Sequence, residues 1–259
     1  MGDGTDPIDR IRRQFTRQAD VYAGMSQTRD AAGHRGLAKL AGAAPGVRAL
    51  DVACGPGLLT LALAEAGAEA VGVDATEALL ALAREEAARR GLAVEFRAGD
   101  ARALDLPDAH FDVVTCRAAF HHFPEPARVL AEMVRVAKPG AALLVADLLG
   151  SEDPAKAALH DRIERLCDPT HERALPESAF DALFGAAGLR AVARPAGEMA
   201  YDAEEWIAHG GPADATAAEI RRLLEASIDG DRTGLAVHHE GGRLRFRHRT
   251  AAFLLRKPG

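Results

Sequence analysis

The 259-residue chain contains no asparagine, so it carries no N-glycosylation sequon. Its three cysteines, Cys54, Cys116 and Cys167, are odd in number and far apart. That spacing suggests neither a disulfide framework nor a zinc cluster, and it points to a reducing compartment, here the cytoplasm. Lysine is almost missing, with 4 against 28 arginines, and aromatic residues make up only 5% of the chain. Apolar runs such as Leu58–Ala64 are too short to span a bilayer, so no membrane insertion is expected. The start, MGDGTDPIDR, is too acidic and polar for a signal peptide, and Asp6 occupies the Ser/Thr position of a myristoylation motif. With 32 basic and 38 acidic side chains the net charge is −6, and no long basic stripe is visible. A nucleic-acid partner is therefore disfavoured.

What the chain does have is apolar bulk. Hydrophobic residues make up 48% of it, with 56 alanines among them. That is enough for a sizeable core, and residues 1–259 read as one domain. The alanine and arginine bias is what a GC-rich genome produces. It blurs periodicity, because alanine suits either face of a helix.

The centre of the chain alternates short apolar runs with helical stretches, the pattern of a doubly wound parallel sheet with crossover helices. Strands are expected at Val47–Ala53, Glu69–Asp74, Val94–Ala98, Phe111–Cys116 and Ala141–Leu148. Helices are expected at Leu58–Ala66, at Glu77–Arg90 between a Thr76 cap and Gly91, and from Pro126 through Ala137, broken by Lys138-Pro139-Gly140. Residues 1–40 read as a helical N-terminal cap. Residues 151–188 read as a helical insertion, with helices Pro154–Cys167 and Pro176–Ala187. A strand at Leu189–Met199, a helix at Thr216–Ser227 and a charged strand at Arg243–Leu255 follow, the last entered by a Gly241-Gly242 hairpin turn.

The richest stretch is Leu50-Asp51-Val52-Ala53-Cys54-Gly55-Pro56-Gly57, a strand running into a glycine-rich turn and then a helix. Such a turn lets a ligand approach the backbone. Asp51 can order this loop or meet a cationic group. Asp74, 23 residues later, ends the second strand, where an acid can accept from both hydroxyls of a ribose. Asp100 ends the third strand and can meet an adenine amino group. Three acids at successive C-terminal strand ends, beside the expected switch point, are hard to explain as mere helix caps. A dinucleotide fingerprint is excluded, since Thr60 stands at the third glycine of G-x-G-x-x-G, and no Walker loop occurs.

Together these stretches resemble the class I S-adenosylmethionine (SAM) dependent methyltransferases, and most of all the branch with ubiquinone and menaquinone C-methyltransferases and many small-molecule methyltransferases. ALDVACGPG, VGVDAT, GDARALDLPDAHFDVVTCRAAFHHF and VLAEMVRVAKPGAALLVADLL match successive motifs in order. The resemblance covers residues 10–150 well and 151–190 loosely. It implies a Rossmann-like, mostly parallel seven-stranded sheet with an antiparallel last strand. It also implies SAM as cofactor and S-adenosylhomocysteine (SAH) as product. By resemblance, Asp51, Ala53, Gly55 and Gly57 line the methionine half, Asp74 binds the ribose, Ala75 and Thr76 lie along the adenosine, Asp100 takes adenine N6 with Ala101 beside the ring, and Arg117 adjoins the methionine moiety. Tyr22 and Phe15 belong to a segment that resembles the family's N-terminal cover. Ala53 departs from the family's D-x-G-x-G-x-G, and Leu59 stands two residues after its last glycine, Gly57.

Methyl transfer from a sulfonium is an in-line displacement, and a base is needed only when the nucleophile must lose a proton. His121 and His122 are the candidates, with His122 slightly favoured, and Phe123 and His171 are candidate acceptor-side residues. The arginines alternating over Arg243–Arg249 read as a solvated edge-strand face rather than an anion site. His238-His239-Glu240 lacks further spaced ligands, so no metal is expected. The absence of asparagine excludes an N-P-P-Y loop of the kind found in nucleic-acid methyltransferases. The reading is methyl transfer to O, N or C of a small molecule. The alternative is a protein of the same fold that binds SAM or SAH without transfer, as a regulator or a cyclase. A homodimer is compatible with either.

Overall fold

The computed structural model describes residues 6–22 and 30–259, without the side chains of residues 20–22. Two helices come first, α1 (Pro7–Tyr22) and α2 (Ala31–Ala41). The alternating unit follows as β1 (Arg48–Val52), α3 (Leu58–Glu65), β2 (Glu69–Asp74), α4 (Glu77–Arg90), β3 (Glu95–Ala98) and β4 (Phe111–Arg117). A 3-10 turn at Phe120–His122 then leads to α5 (Pro126–Val136) and β5 (Ala137–Leu148). After these come α6 (Pro154–Cys167), α7 (Glu177–Ala186), β6 (Ala191–Ala193), β7 (Ala196–Asp202), α8 (Ala203–Gly210), α9 (Asp214–Glu225), β8 (His238–Glu240) and β9 (Arg243–Arg256).

The sheet runs β3-β2-β1-β4-β5-β9-β6, with β7 and β8 also paired to β9. The strands from β3 to β5 are parallel, and β9 runs antiparallel to β5. The chain winds outward from β1 to β3 and then crosses back to lay β4 on the other side of β1. That reversal opens a crevice beyond the C-terminal ends of β1 and β4. Asp51 pairs in register with Gly72 on one side and Thr115 on the other, which brings the ends of three strands level.

Apolar side chains cover both faces of the sheet. Leu50, Val52 and Val114 join the α5 residues Val129, Leu130 and Met133 on one face, with Phe180, Phe184 and Phe253. Ala49, Val113 and Leu144 join α2 and α3 on the other, where small Ala38 and Ala41 let the helices approach closely. A third cluster, with Ile163, Trp206, Ile220 and Phe246, packs α6, α8 and α9 against the first half of β9. Few as the aromatics are, five phenylalanines are among the largest fully buried side chains.

Some elements differ from the sequence reading. The helix before Lys138-Pro139-Gly140 ends at Val136, and β5 begins at the next residue, absorbing the break in a register shift opposite Phe111 and Val113. The single strand expected over Leu189–Met199 is two, because Arg194 and Pro195 interrupt it. α8 was not foreseen. β9 is no edge strand, since β5 and β8 flank it on one side and β6 and β7 on the other. Thr76 stands at the N-cap of α4 without a side-chain capping bond.

Candidate active site

The turn after β1 is held in left-handed backbone conformation at three places, Ala53 (φ 53°), Gly55 (φ 53°) and Gly57 (φ 78°). Gly57 has a second constraint. A Cβ there lies 2.9 Å from the Ala83 Cβ and the Phe96 ring, so α3 starts where only glycine fits. Asp74 ties the turn to the end of β2: its Oδ2 accepts from the Gly55 N–H at 2.8 Å and its Oδ1 from the Thr76 N–H at 2.8 Å. Asp51 is held from two sides, by the hydroxyls of Thr60 (2.8 Å) and Thr115 (2.7 Å). Both carboxylates are buried, and burial pushes Asp51 up to about 6 and Asp74 above the usual carboxylate range. Among the described residues neither carboxylate forms an ion pair.

These groups line a cleft of about 690 Å³, together with Ala53, Arg117, Phe123 and, from α1, Phe15. Gly57, Ala75, Thr76, Asp100 and Ala101 do not line it. Asp100 is taken up by Arg102, which donates from Nε at 3.0 Å and Nη2 at 2.8 Å and also reaches Asp6. Partial burial works the other way, yet the Arg102 guanidinium holds the Asp100 carboxyl below its usual range. Ala101 belongs to the apolar core, and the Ala75 carbonyl accepts from Arg12 Nε at 3.2 Å. Tyr22 ends α1, but its side chain lies outside the described residues.

A second cleft of about 910 Å³ shares Phe15, Arg117, Ala118 and His122 with the first. Its wall carries His121, His171 and His248 with the carboxylates of Glu164 and Asp168. The 3-10 turn that presents the histidine pair is fixed by Asp147 at the end of β5. Asp147 Oδ2 accepts from the N–H groups of Ala119 and Phe120, at 3.1 and 2.7 Å. Its Oδ1 lies 2.6 Å from His121 Nδ1. Burial works to lower the His121 pKa, but the charge and hydrogen bond of Asp147 outweigh it and hold it above the usual histidine value. His122 goes the other way, to about 4, through burial and then the neighbouring His121 charge. The two rings stand 4.1 Å apart, and Phe15 meets His122 edge-on at 5.2 Å. His171 is buried, with Nε2 2.9 Å from Asp161 Oδ1.

A methyltransferase-domain family matches residues 50–145. The uncharacterized methyltransferase YcgJ of Bacillus subtilis is 33% identical over 150 residues, which are 58% of this chain and 59% of that protein. A demethylmenaquinone methyltransferase of Renibacterium salmoninarum is 41% identical over 140 residues, 54% of this chain and 56% of that protein. The match therefore spans somewhat more than half the length of these two curated relatives. The crystal structure of YcgJ superposes with a TM-score of 0.80 and 28% identity, covering 88% of this chain and 99% of that one. A putative methyltransferase from Bacillus halodurans superposes with a TM-score of 0.82 and 29% identity, covering 89% and 99%. Residues 50–145 are thus similar to a methyltransferase domain, and the fold is that of these methyltransferase structures.

The methyltransferase match contains Asp51, Asp74 and both histidines of the 3-10 turn but ends two residues before Asp147. The carboxylates of the second cleft, Glu164 and Asp168, and His171 and His248 all lie beyond it. Asp147 was missed in the sequence reading, although it obeys the same rule as Asp51 and Asp74, an acid at a C-terminal strand end. The arginines of β9 carry their own counterions: Arg243 pairs with Asp202, Arg247 with Glu198 and Arg249 with Glu177. Arg245 stands 3.7 Å from Glu240 and 3.9 Å from Asp202, so every arginine from 243 to 249 has an acid beside it. His238 and His239 turn to different partners, the Ala236 carbonyl and Glu225. No described helix is long and apolar enough to cross a membrane.

Proposed function

We propose that the chain transfers a methyl group from SAM to a small-molecule acceptor and releases SAH. The observation that carries this reading is the pair of buried carboxylates, Asp51 and Asp74, beside a left-handed turn at the switch point of the sheet. Among the described residues neither makes an ion pair, which suits a cationic ligand with a ribose. When bound, SAM supplies a methyl group on a cationic sulfur, open to in-line displacement.

In this reading Asp51 meets the ligand's ammonium group. The Asp74 oxygens, each with a lone pair left after the turn's N–H groups, meet the ribose hydroxyls. Ala53, Gly55 and Gly57 keep the backbone free of bulk. No cofactor contact is assigned to Asp100, whose carboxylate is committed to Arg102. The acceptor takes the second cleft, whose volume is that of a small-molecule site. Residues 1–40 and 151–188 act as the cap, contributing Phe15, Glu164, Asp168 and His171 to its wall.

For a nucleophile that carries a proton, His121 is the acceptor of that proton. Its Nδ1 is committed to Asp147, which leaves Nε2, and it lines the acceptor cleft. Asp147 is a positioning residue. His122, held neutral by burial, serves as wall between the two clefts.

The test is calorimetric titration of SAM and SAH against wild type and Asp74→Ala, with product mass analysis on candidate acceptors. Micromolar binding weakened about tenfold or more in the variant, about 1.4 kcal/mol, is expected. No binding to wild type freed of copurified ligand would overturn the reading. Binding without any methylated product would favour the regulator or cyclase alternative.

A further inference from the structure

At one wall of the second cleft, and just behind it, three side chains converge that the proposed proton transfer does not use. His160 and Glu164 stand one turn apart on α6, and His248 faces them from β9. Nε2 of His160 is 3.4 Å, and Nε2 of His248 is 2.8 Å, from the same oxygen, Glu164 Oε1. The ligand atoms of all three lie within 4.8 Å of one another, and the residues are only 1%, 7% and 2% exposed. Among the described residues this is the one group of three or more such side chains close enough to share an ion.

Two features set the cluster apart from an ordinary buried ion pair. First, none of the three converging atoms makes a hydrogen bond among the described residues, despite the short contacts. The carboxylate oxygen stands off the ring N–H directions, as ligands of one ion stand to each other and not as acceptor stands to donor. Ligands about 2.1 Å from a tetrahedral ion are about 3.4 Å apart, close to the spacings seen here. Second, among the described residues no lysine or arginine pairs with Glu164, and the two imidazoles are the groups within ion-pair distance of its buried charge. A buried carboxylate calls for a cation.

We propose that His160, Glu164 and His248 bind one divalent transition-metal ion of the zinc class. Two imidazole nitrogens and one carboxylate oxygen suit Zn²⁺ and its neighbours, whereas Mg²⁺ and Ca²⁺ prefer oxygen-only shells. Three protein ligands leave a coordination position open. Glu164 and His248 line the second cleft, so that position faces it and takes water or an oxygen of the cleft's occupant. Metal binding by these residues stands whether or not the chain transfers methyl groups. The sequence reading of no metal rested on His238-His239-Glu240, which the fold does not gather; the ligand set comes from elsewhere.

The test is titration of the chelator-stripped full chain with Zn²⁺, by calorimetry and by competition with a chromophoric chelator, and with Co²⁺ followed by visible absorption. One equivalent of Zn²⁺ is expected, with affinity at least tenfold weaker in both Glu164→Gln and His248→Gln. His239→Gln, at an exposed site, should bind as wild type does. Equal affinity in wild type and the two ligand variants, or loss of binding in His239→Gln, overturns the proposal. Should the ligand variants fail to fold, the wild-type Co²⁺ spectrum decides: intense bands of a low-coordinate nitrogen and oxygen site support it, and their absence rejects it.

Discussion

Asp51→Asn should make the ligand-free protein more stable while making it a poorer binder. Asp51 is buried at the end of β1 and bonded to two hydroxyls, and burial lifts its pKa from 3.8 to about 6. The unfolded chain ionises this group near pH 4, and the folded chain only near pH 6. Between those values the native state holds a proton that the unfolded state has released, so stability falls as pH rises. The full shift of about two units corresponds to about 3 kcal/mol, lost once pH exceeds the folded value. Asparagine keeps the shape and one acceptor oxygen without the charge. Relative to wild type, Asp51→Asn should gain about 1 kcal/mol at pH 4.5, widening to about 3 kcal/mol at pH 8. Urea unfolding of both proteins across that range measures the gap directly, since other titrating groups cancel in the difference. Binding of SAM should weaken about tenfold or more, because the lost charge is the one placed for a cation. A stability gap that does not change with pH would refute the argument, since burial would then not be what raises this carboxyl.

The remaining expectations concern the turn and the proton acceptor. Ala53 is held at φ 53°, where an L-residue is strained by about 1–2 kcal/mol. Ala53→Gly removes that strain against an unfolded-state entropy cost of about 0.4–1 kcal/mol, so thermal melting should show a net gain near 1 kcal/mol. A loss of stability would mean that the alanine methyl packs better than its backbone suffers. If the acceptor carries a proton, His121→Gln should lower kcat by about a hundredfold or more. Because His121 must be neutral to act, the wild-type rate should climb with pH through a value above 6.5. Asp147→Asn should move that limb to lower pH, since the main influence raising the ring's pKa is then gone and burial is opposed only by the weaker effects of Glu164 and Asp168. An unchanged pH profile in Asp147→Asn would remove His121 from the chemistry.

The cofactor side and the acceptor side of this protein were not equally legible, and the reason is the way each is assembled. Asp51, the glycine turn and Asp74 lie within 24 residues of one another, on adjacent parallel strands whose register is set by a short crossover helix. A parallel strand carries its C-terminal residue to the same edge as its neighbour, so an acid that ends one strand is bound to lie near an acid that ends the next. The same rule reaches Asp147 at the end of β5, and it was overlooked only because the motif before it was read as strand alone. The acceptor side has no such rule. Phe15 comes from α1, His121 from a 3-10 turn, Glu164 from α6, Trp206 from α8 and His248 from a strand near the end of the chain.

Which of these meet depends on how far β9 runs past β5 and on how α6 and α8 pack over that overhang, through contacts such as Trp206 with Phe246. Periodicity cannot supply this, least of all in a chain where alanine blurs the faces of its helices. Two of the three cluster members are nonetheless legible: His160 and Glu164 are four apart on the helix expected over Pro154–Cys167, so they share a face. The third member, 84 positions further on, alternates with arginines along β9. By sequence alone that strand reads as a solvated edge. Once β7 is seen to pair along it, one face of the strand is turned inward, and His248 on that face has nowhere to point but toward α6. The position of a single strand thus governs both the depth of the second cleft and the side chains that converge at its wall.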